Sequence, residues 1–105
     1  MPLDNTYEIY TEKKFQKTIK KNLPGHLQKI FNRKLNYFKN NLNHPSLNTK
    51  PYNASSKKLK SLGVDEVYEF YINMSIRCIF YVIHKEKQII IAYVGSHKQV
   101  KNKFA

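Results

Sequence analysis

The stretch from Glu66 to Gly95, EVYEFYINMSIRCIFYVIHKEKQIIIAYVG, decides the fold. It holds three runs rich in β-branched and aromatic residues, EVYEFYI, IRCIFYVI and QIIIAYVG. Polar gaps separate them, Asn73-Met74-Ser75 and His84-Lys85-Glu86-Lys87. Runs of this kind with short polar gaps read as strands joined by tight turns, an antiparallel meander. The middle run is almost unbroken apolar, so its strand is expected to be covered on at least one face.

Upstream, residues 44–63 (HPSLNTKPYNASSKKLKSLG) are rich in Pro, Asn and Ser and read as a connecting loop. Before that, residues 26–43 place Leu27, Ile30, Phe31, Leu35, Phe38 and Leu42 at helical spacing, ending ahead of His44-Pro45. In residues 12–23, Phe15, Ile19 and Leu23 recur every four positions, with Thr11 as the expected N-cap and Glu12 in the first turn. Pro24-Gly25 separates the two helices and predicts a hairpin. Residues 5–10, NTYEIY, alternate as a short first strand. The expected order is β-α-α-β-β-β in a single domain over residues 1–105. The fold class is α+β, with the helix hairpin packed on one face of a curved antiparallel sheet and the other face available.

Charge narrows the function. Nineteen Lys and Arg oppose seven Asp and Glu, a formal charge of +12 in 105 residues. Solubility needs only about 2 to 8 units in a small domain, so the excess points to a polyanionic partner. All these cations but Arg33 and Arg77 are lysine, which acts as a point charge and suits phosphate better than base edges. Lys13, Lys14, Lys17, Lys20, Lys21, Lys29, Arg33, Lys34 and Lys39 fall on the outer faces of the helix hairpin, where such runs are often only solvated surface.

Several classes are poorly supported. The N-terminus has no apolar signal-peptide core and no segment approaches the ~20 apolar residues of a membrane span, so a cytoplasmic location is expected. Cys78 is the only cysteine and sits in an apolar run as a core thiol. His26, His44, His84 and His97 lack metal-ligand spacing, three glycines leave no phosphate-cradling loop, and no paired carboxylates stand out, so neither metal nor cofactor is expected. The glycosylation-type triplets at Asn53 and Asn73 read as chance matches.

What remains is one end of the meander. Arg77 interrupts an apolar strand two residues after a turn. A buried guanidinium needs a partner, so it either pairs with Asp65, Glu66 or Glu69 or faces a cleft as a phosphate clamp. His97 ends the last strand, and antiparallel register puts it beside the start of the middle strand, at Arg77's end of the sheet. Lys98, Lys101 and Lys103 follow it, and Lys57, Lys58 and Lys60 precede the first strand of the meander. Histidine beside a guanidinium suits general acid–base work, and lysines suit a nucleic-acid backbone. Tyr68, Tyr71, Tyr81 and Tyr93 spread over the sheet; most belong to a core, and any on an open face could stack on a base.

Lys58-Leu59-Lys60, Tyr68, Arg77 and Val94-Gly95-Ser96-His97 together resemble the pattern of the RelE/ParE superfamily of toxin–antitoxin toxins. The motifs lie within residues 57–101, and the order of elements extends the likeness over nearly the whole chain. RelE-type members cleave messenger RNA, typically on the ribosome, without metal: the ribose 2′-hydroxyl attacks the adjacent phosphate, leaving a cyclic phosphate and a 5′-hydroxyl. The resemblance implies that Arg77 stabilises the transition state and that His97 is the general acid or base. It implies that Lys58 and Lys60 neutralise the backbone and assist proton transfer; read from the residues themselves, Lys57, Lys98, Lys103 and Tyr93 are expected to bind RNA nearby. It also implies the partners: mRNA, the ribosome and a co-encoded antitoxin. One departure stands out: Lys101 occupies the position where many members have a tyrosine, and it is the candidate there to hold phosphate or take a proton in the tyrosine's place. Two alternatives remain open on the residues: a ParE-like inhibitor of DNA gyrase without nuclease activity, and a non-catalytic basic RNA- or DNA-binding domain.

Overall fold

The structure is a computed structural model that describes Leu3, Asp4 and Thr6–Phe104. Its centre is one five-stranded sheet in the order β1-β5-β4-β3-β2. Strands β3 (Glu66–Tyr71), β4 (Ile76–Ile83) and β5 (Gln88–Ser96) form the expected antiparallel meander, with Arg77 opposite both Tyr71 and Gly95. β4 is the middle strand and is buried along all but its last residue. A register shift between Ile79 and Phe80 bulges β5 at Ala92.

The edges depart from expectation. β1 (Glu8–Thr11) pairs with β5 in parallel, so the sheet is mixed rather than wholly antiparallel. That pairing keeps Thr11 in the strand, and the Glu12 N–H donates to the Ile91 carbonyl at 2.9 Å. The helix α1 (Phe15–Asn22) therefore starts later, with Lys14 at its N-cap and no side-chain cap, rather than Thr11. The segment 44–63 is not a plain loop. It contains the two-residue β2 (Lys50–Pro51), paired with β3, and the helix α3 (Ser56–Leu62). The expected helix over 26–43 is a 3₁₀ turn at Gly25–Leu27 followed by α2 (Gln28–Asn40).

The other sheet face is not open. On the expected side, α1 and α2 bring Phe15, Phe31 and Phe38 onto Phe70, Phe80 and Ile91, with Phe38 stacked 4.8 Å from Phe70. On the opposite side, α3 and a last helix, α4 (His97–Phe104), lay Leu59, Leu62, Val100 and Phe104 over Val67, Ile79 and Tyr81. Strand alternation sorts the residues, even positions of β4 going to the first core and Ile79 and Tyr81 to the second, with Arg77 on the same face as these two. Cys78 is fully buried in the first core, and burial pushes its thiol pKa up. Among the described residues no helix is long and apolar enough to cross a membrane.

Candidate nucleic-acid interface

The strand β5 becomes the helix α4 through a reciprocal cap. The Gln99 N–H donates to Ser96 Oγ at 3.1 Å, and the Ser96 N–H donates to Gln99 Oε1 at 2.8 Å. This is a capping box built from Ser96-x-x-Gln99. Gly95 makes it possible: a Cβ there would lie 3.0 Å from both Gln99 Oε1 and the Tyr93 ring. The chain therefore turns abruptly from a buried strand into a basic helix, which explains why polar residues follow an apolar run.

The helix begins where the expectation put His97, at Arg77's end of the sheet. The His97 N–H donates to the Ser75 carbonyl at 3.1 Å, in the turn just before Arg77. Its side chain is exposed and makes no hydrogen bond among the described residues. With about 100° per residue, Val100 and Phe104 form the buried stripe of α4, His97 and Lys101 flank it on one side, and Gln99 and Lys103 on the other. Gln99 reaches α1, its Nε2 donating to Asn22 Oδ1 at 2.9 Å. The flank with His97 and Lys101 is thus turned away from α1, to the side on which β4 and β3 lie.

Arg77 is held within the protein. Its Nη1 donates to the carbonyls of Asn73 at 3.0 Å and Met74 at 2.7 Å, and its guanidinium lies 3.7 Å from the centre of the Tyr71 ring. Its Nε is 3.2 Å from Glu69 Oε1, with both side chains about nine-tenths buried. That N–H is not aimed at the carboxylate, so the two attract as charges without a formed hydrogen bond. Of the two readings open for Arg77, the internal partner is Glu69.

Beyond Arg77 the row continues outward. Lys50 on β2 is opposite Glu69, and its Nζ donates to Tyr71 Oη at 2.7 Å. The Lys50 ammonium, foremost, and the Arg77 charge lower the Tyr71 phenol pKa, against opposing effects of desolvation and Glu69. The same hydrogen bond raises the Lys50 pKa, so both shifts favour the ammonium–phenolate pair. Sequence reasoning treated Tyr71 as one of several sheet tyrosines and gave Lys50 no role. Lys50 was hidden because its strand is two residues long and ends in proline.

The remaining candidates separate. Lys57, Lys58 and Lys60 lie on α3, not on a loop leading into a strand. Lys57 and Lys58 line a cleft of about 260 Å³ with Ser55 and Ser61. Lys58 and Lys60 are two positions apart on a helix and so point to different sides. Lys98 and Lys101 are exposed on α4. Tyr93 and Lys103 lie beside α1, in a groove lined also by Lys14, Lys17 and Lys21. Tyr68 and Tyr81 are buried in the two cores, one on each face. Among the described residues no cluster of His, Cys, Asp and Glu is suited to a metal.

No protein-family model and no curated protein matches the sequence. Solved structures do resemble the fold. The RelB–RelE antitoxin–toxin complex from Methanococcus jannaschii has a chain matching at TM-score 0.62 and 20% identity, over 91% of this chain and 99% of that one. The archaeal RelE–RelB complex from Pyrococcus horikoshii OT3 matches at TM-score 0.58 and 17% identity, over 87% and 94%. The E. coli DinJ–YafQ complex matches at TM-score 0.61 and 13% identity, over 90% and 97%. Architecture and comparisons together define a small α+β domain with the RelE-like fold.

Proposed function

We propose that this protein is the toxin of a toxin–antitoxin pair and that it inhibits translation by cutting messenger RNA on the ribosome. The observation that carries this reading is the gathering of Lys50, Tyr71 and Arg77 at one end of the sheet, beside the flank of α4 that bears His97 and Lys101. The RelE-like fold supports it, since its solved relatives include toxins crystallised with RelB and DinJ. An antitoxin is accordingly the expected protein partner.

Cleavage without a metal needs two proton-transfer groups and positive charge at the phosphate. Tyr71, biased toward phenolate by Lys50, takes the proton of the ribose 2′-hydroxyl as that oxygen bonds the adjacent phosphorus. The bond from phosphorus to the 5′-oxygen breaks, and His97, acting as general acid, gives that oxygen a proton. The products are a cyclic phosphate and a 5′-hydroxyl. Lys50, Lys98 and Lys101 are the exposed cations for the phosphate, while Arg77, tied to Glu69, backs the Tyr71 ring with a fixed positive charge.

The test is induction in cells with primer extension on a translated reporter message. Discrete cuts that disappear in folded Tyr71→Phe and His97→Ala variants support the proposal. One observation favours a second reading: Arg77 is held inward by Glu69 and by the Asn73 and Met74 carbonyls rather than reaching out to a phosphate, which suits a non-catalytic RNA-binding domain. Translation arrest without cuts would select that second reading.

A further inference from the structure

We infer that the groove between α1 and α4 is a second RNA-binding site, separate from the Arg77 end, that takes a single-stranded segment by stacking a base on Tyr93 and holding its phosphates with lysines. This inference rests on the RNA reading above but does not depend on cleavage.

The groove is built from two adjoining cavities of about 340 and 290 Å³ that share Lys21, Asn22, Tyr93 and Lys103. Lys14, Lys17 and Lys21 recur at helical spacing along one wall, and by helical rise Lys17 and Lys21 are about 6 Å apart along the axis. Lys103 stands on the other wall, on the flank of α4 opposite to His97. All four lysines are exposed, and none joins an ion pair among the described residues. No carboxylate lines either cavity; Glu12 lines a third, adjoining one that shares Lys14, Thr18, Tyr93 and Lys103 with the groove.

The floor is fixed. Thr18 and Asn22 cap the edge of β5 that β1 leaves unpaired: the Val94 N–H donates to Thr18 Oγ1 at 3.2 Å, and Asn22 Nδ2 donates to the Val94 carbonyl at 2.9 Å. The Asn22–Gln99 hydrogen bond ties the two walls together. Tyr93 is half-buried between them, its ring held edge-on by Phe104 at 5.7 Å, with Lys103 Nζ 5.9 Å from its centre. A rigid aromatic ring rimmed by point-charge cations is the arrangement that holds single strands, whose bases are free to stack. A duplex or an acidic peptide would use the lysines but not the ring.

The test is fluorescence anisotropy of the full chain with a 2′-O-methylated, uncleavable RNA of about twelve nucleotides, single-stranded or as a duplex, across a salt series. Tyr93→Leu should weaken single-strand binding about fivefold to a hundredfold and leave duplex binding unmoved. The surface triple variant Lys14→Gln/Lys17→Gln/Lys21→Gln, checked for folding by circular dichroism, should reduce the log–log salt slope by about 2. Unchanged affinity and slope in the triple variant would overturn the inference. So would equal single-strand and duplex binding that ignores Tyr93→Leu, or unchanged RNA affinity with lost binding of poly-glutamate, which would assign the groove to an acidic protein. A wild type that binds the strand through the groove but cuts no message keeps this site and rejects the cleavage mechanism. Groove variants that neither bind nor cut differently from wild type do the reverse.

Discussion

The two ends of the sheet carry the same residue types and use them differently. At the end where β3 begins and β4 stops, His84 has a partner on every side. Its Nε2 meets Glu66, its Nδ1 lies 2.7 Å from Tyr7 Oη, and its backbone N–H donates to Asp65 at 2.7 Å. At the other end, His97 has only its backbone fixed and Lys50 ends on Tyr71, facing solvent. A polar group with all its partners inside the protein is spent on the fold, whereas one without them is available to a ligand. The contrast separates His84, a clasp joining the approach to β1, the start of β3 and the end of β4, from His97, whose free side chain suits the role proposed for it, although the sequence shows both simply as histidines after apolar runs.

The largest expected effect tests that separation directly. His97→Ala should lower message cleavage about 10²- to 10⁴-fold with little change in thermal midpoint. His84→Ala should retain the cleavage rate and lose no more than about 1 kcal/mol of stability in urea melts, because His84 and Glu66 are each more than a third exposed and water replaces the lost partner. A folded, stable and inactive His84→Ala variant would reverse the assignment of the two ends.

Arg77 blurs the comparison, because it sits at the working end but is tied up like His84. Removing either Arg77 or Glu69 leaves its partner's charge about nine-tenths buried, which costs about 3–5 kcal/mol. Arg77→Ala and Glu69→Ala should each show that loss in urea melts. The apolar pair Arg77→Leu/Glu69→Leu should lose much less than the two single losses combined. An Arg77→Ala variant as stable as wild type, but unable to bind RNA, would make Arg77 a phosphate clamp.

Much of the fold is legible because its signals are local. β3, β4 and β5 come within a residue or so of the apolar runs and the two polar gaps, and the meander's register alone brings His97 to Arg77's end. The parallel pairing of β1 with β5 is not legible, since residues 8–11 and 88–91 are distant in sequence and nothing local encodes their contact. The helices α3 and α4 are missed for a different reason. Each turns too few apolar residues to the core to show a helical period, Leu59 and Leu62 in one, Val100 and Phe104 in the other. Their caps were readable. Ser55 Oγ accepts from the Lys58 N–H and Gly63 closes α3 at φ 71°, while Ser96-x-x-Gln99 opens α4. Missing those caps left one sheet face apparently open and turned Lys57, Lys58 and Lys60 into a single cluster. The pairing of Lys50 with Tyr71 is not legible because their contact crosses a two-residue strand inside a segment that reads as loop.

The caps give a smaller prediction that sharpens the comparison. Ser96→Ala removes one side of the capping box and should cost about 0.5–2 kcal/mol in urea melts. It should also lower cleavage, because His97 is the first residue of the helix that loses its anchor. Ser55→Ala should cost a similar amount of stability without touching cleavage, since α3 carries neither Tyr71 nor His97. Equal loss of cleavage from both would mean that the site depends on α3 as much as on α4.

The smallest effect separates the two ends by titration. Tyr68 and Tyr71 lie on the same strand, on opposite faces and three residues apart. Burial, with Glu66 nearby, pushes Tyr68 up to about 12, whereas Lys50 and Arg77 draw Tyr71 below the ordinary phenol value of about 10. Phenolate absorbance should therefore show an early step that Tyr71→Phe abolishes and Lys50→Met returns toward 10. It should also show a late step that Tyr68→Phe diminishes. The sign for stability follows. Because Tyr68 is raised in the folded state, its contribution is complete below about 10 and is lost as the pH climbs toward 12. Tyr71, being depressed, favours the folded state in the opposite sense, above its lowered pKa, and weakly because it is solvent-accessible. An early step that survives in Tyr71→Phe would show that Lys50 does not hold this phenol toward ionisation. The base of the proposed cleavage would then have to be His97 itself.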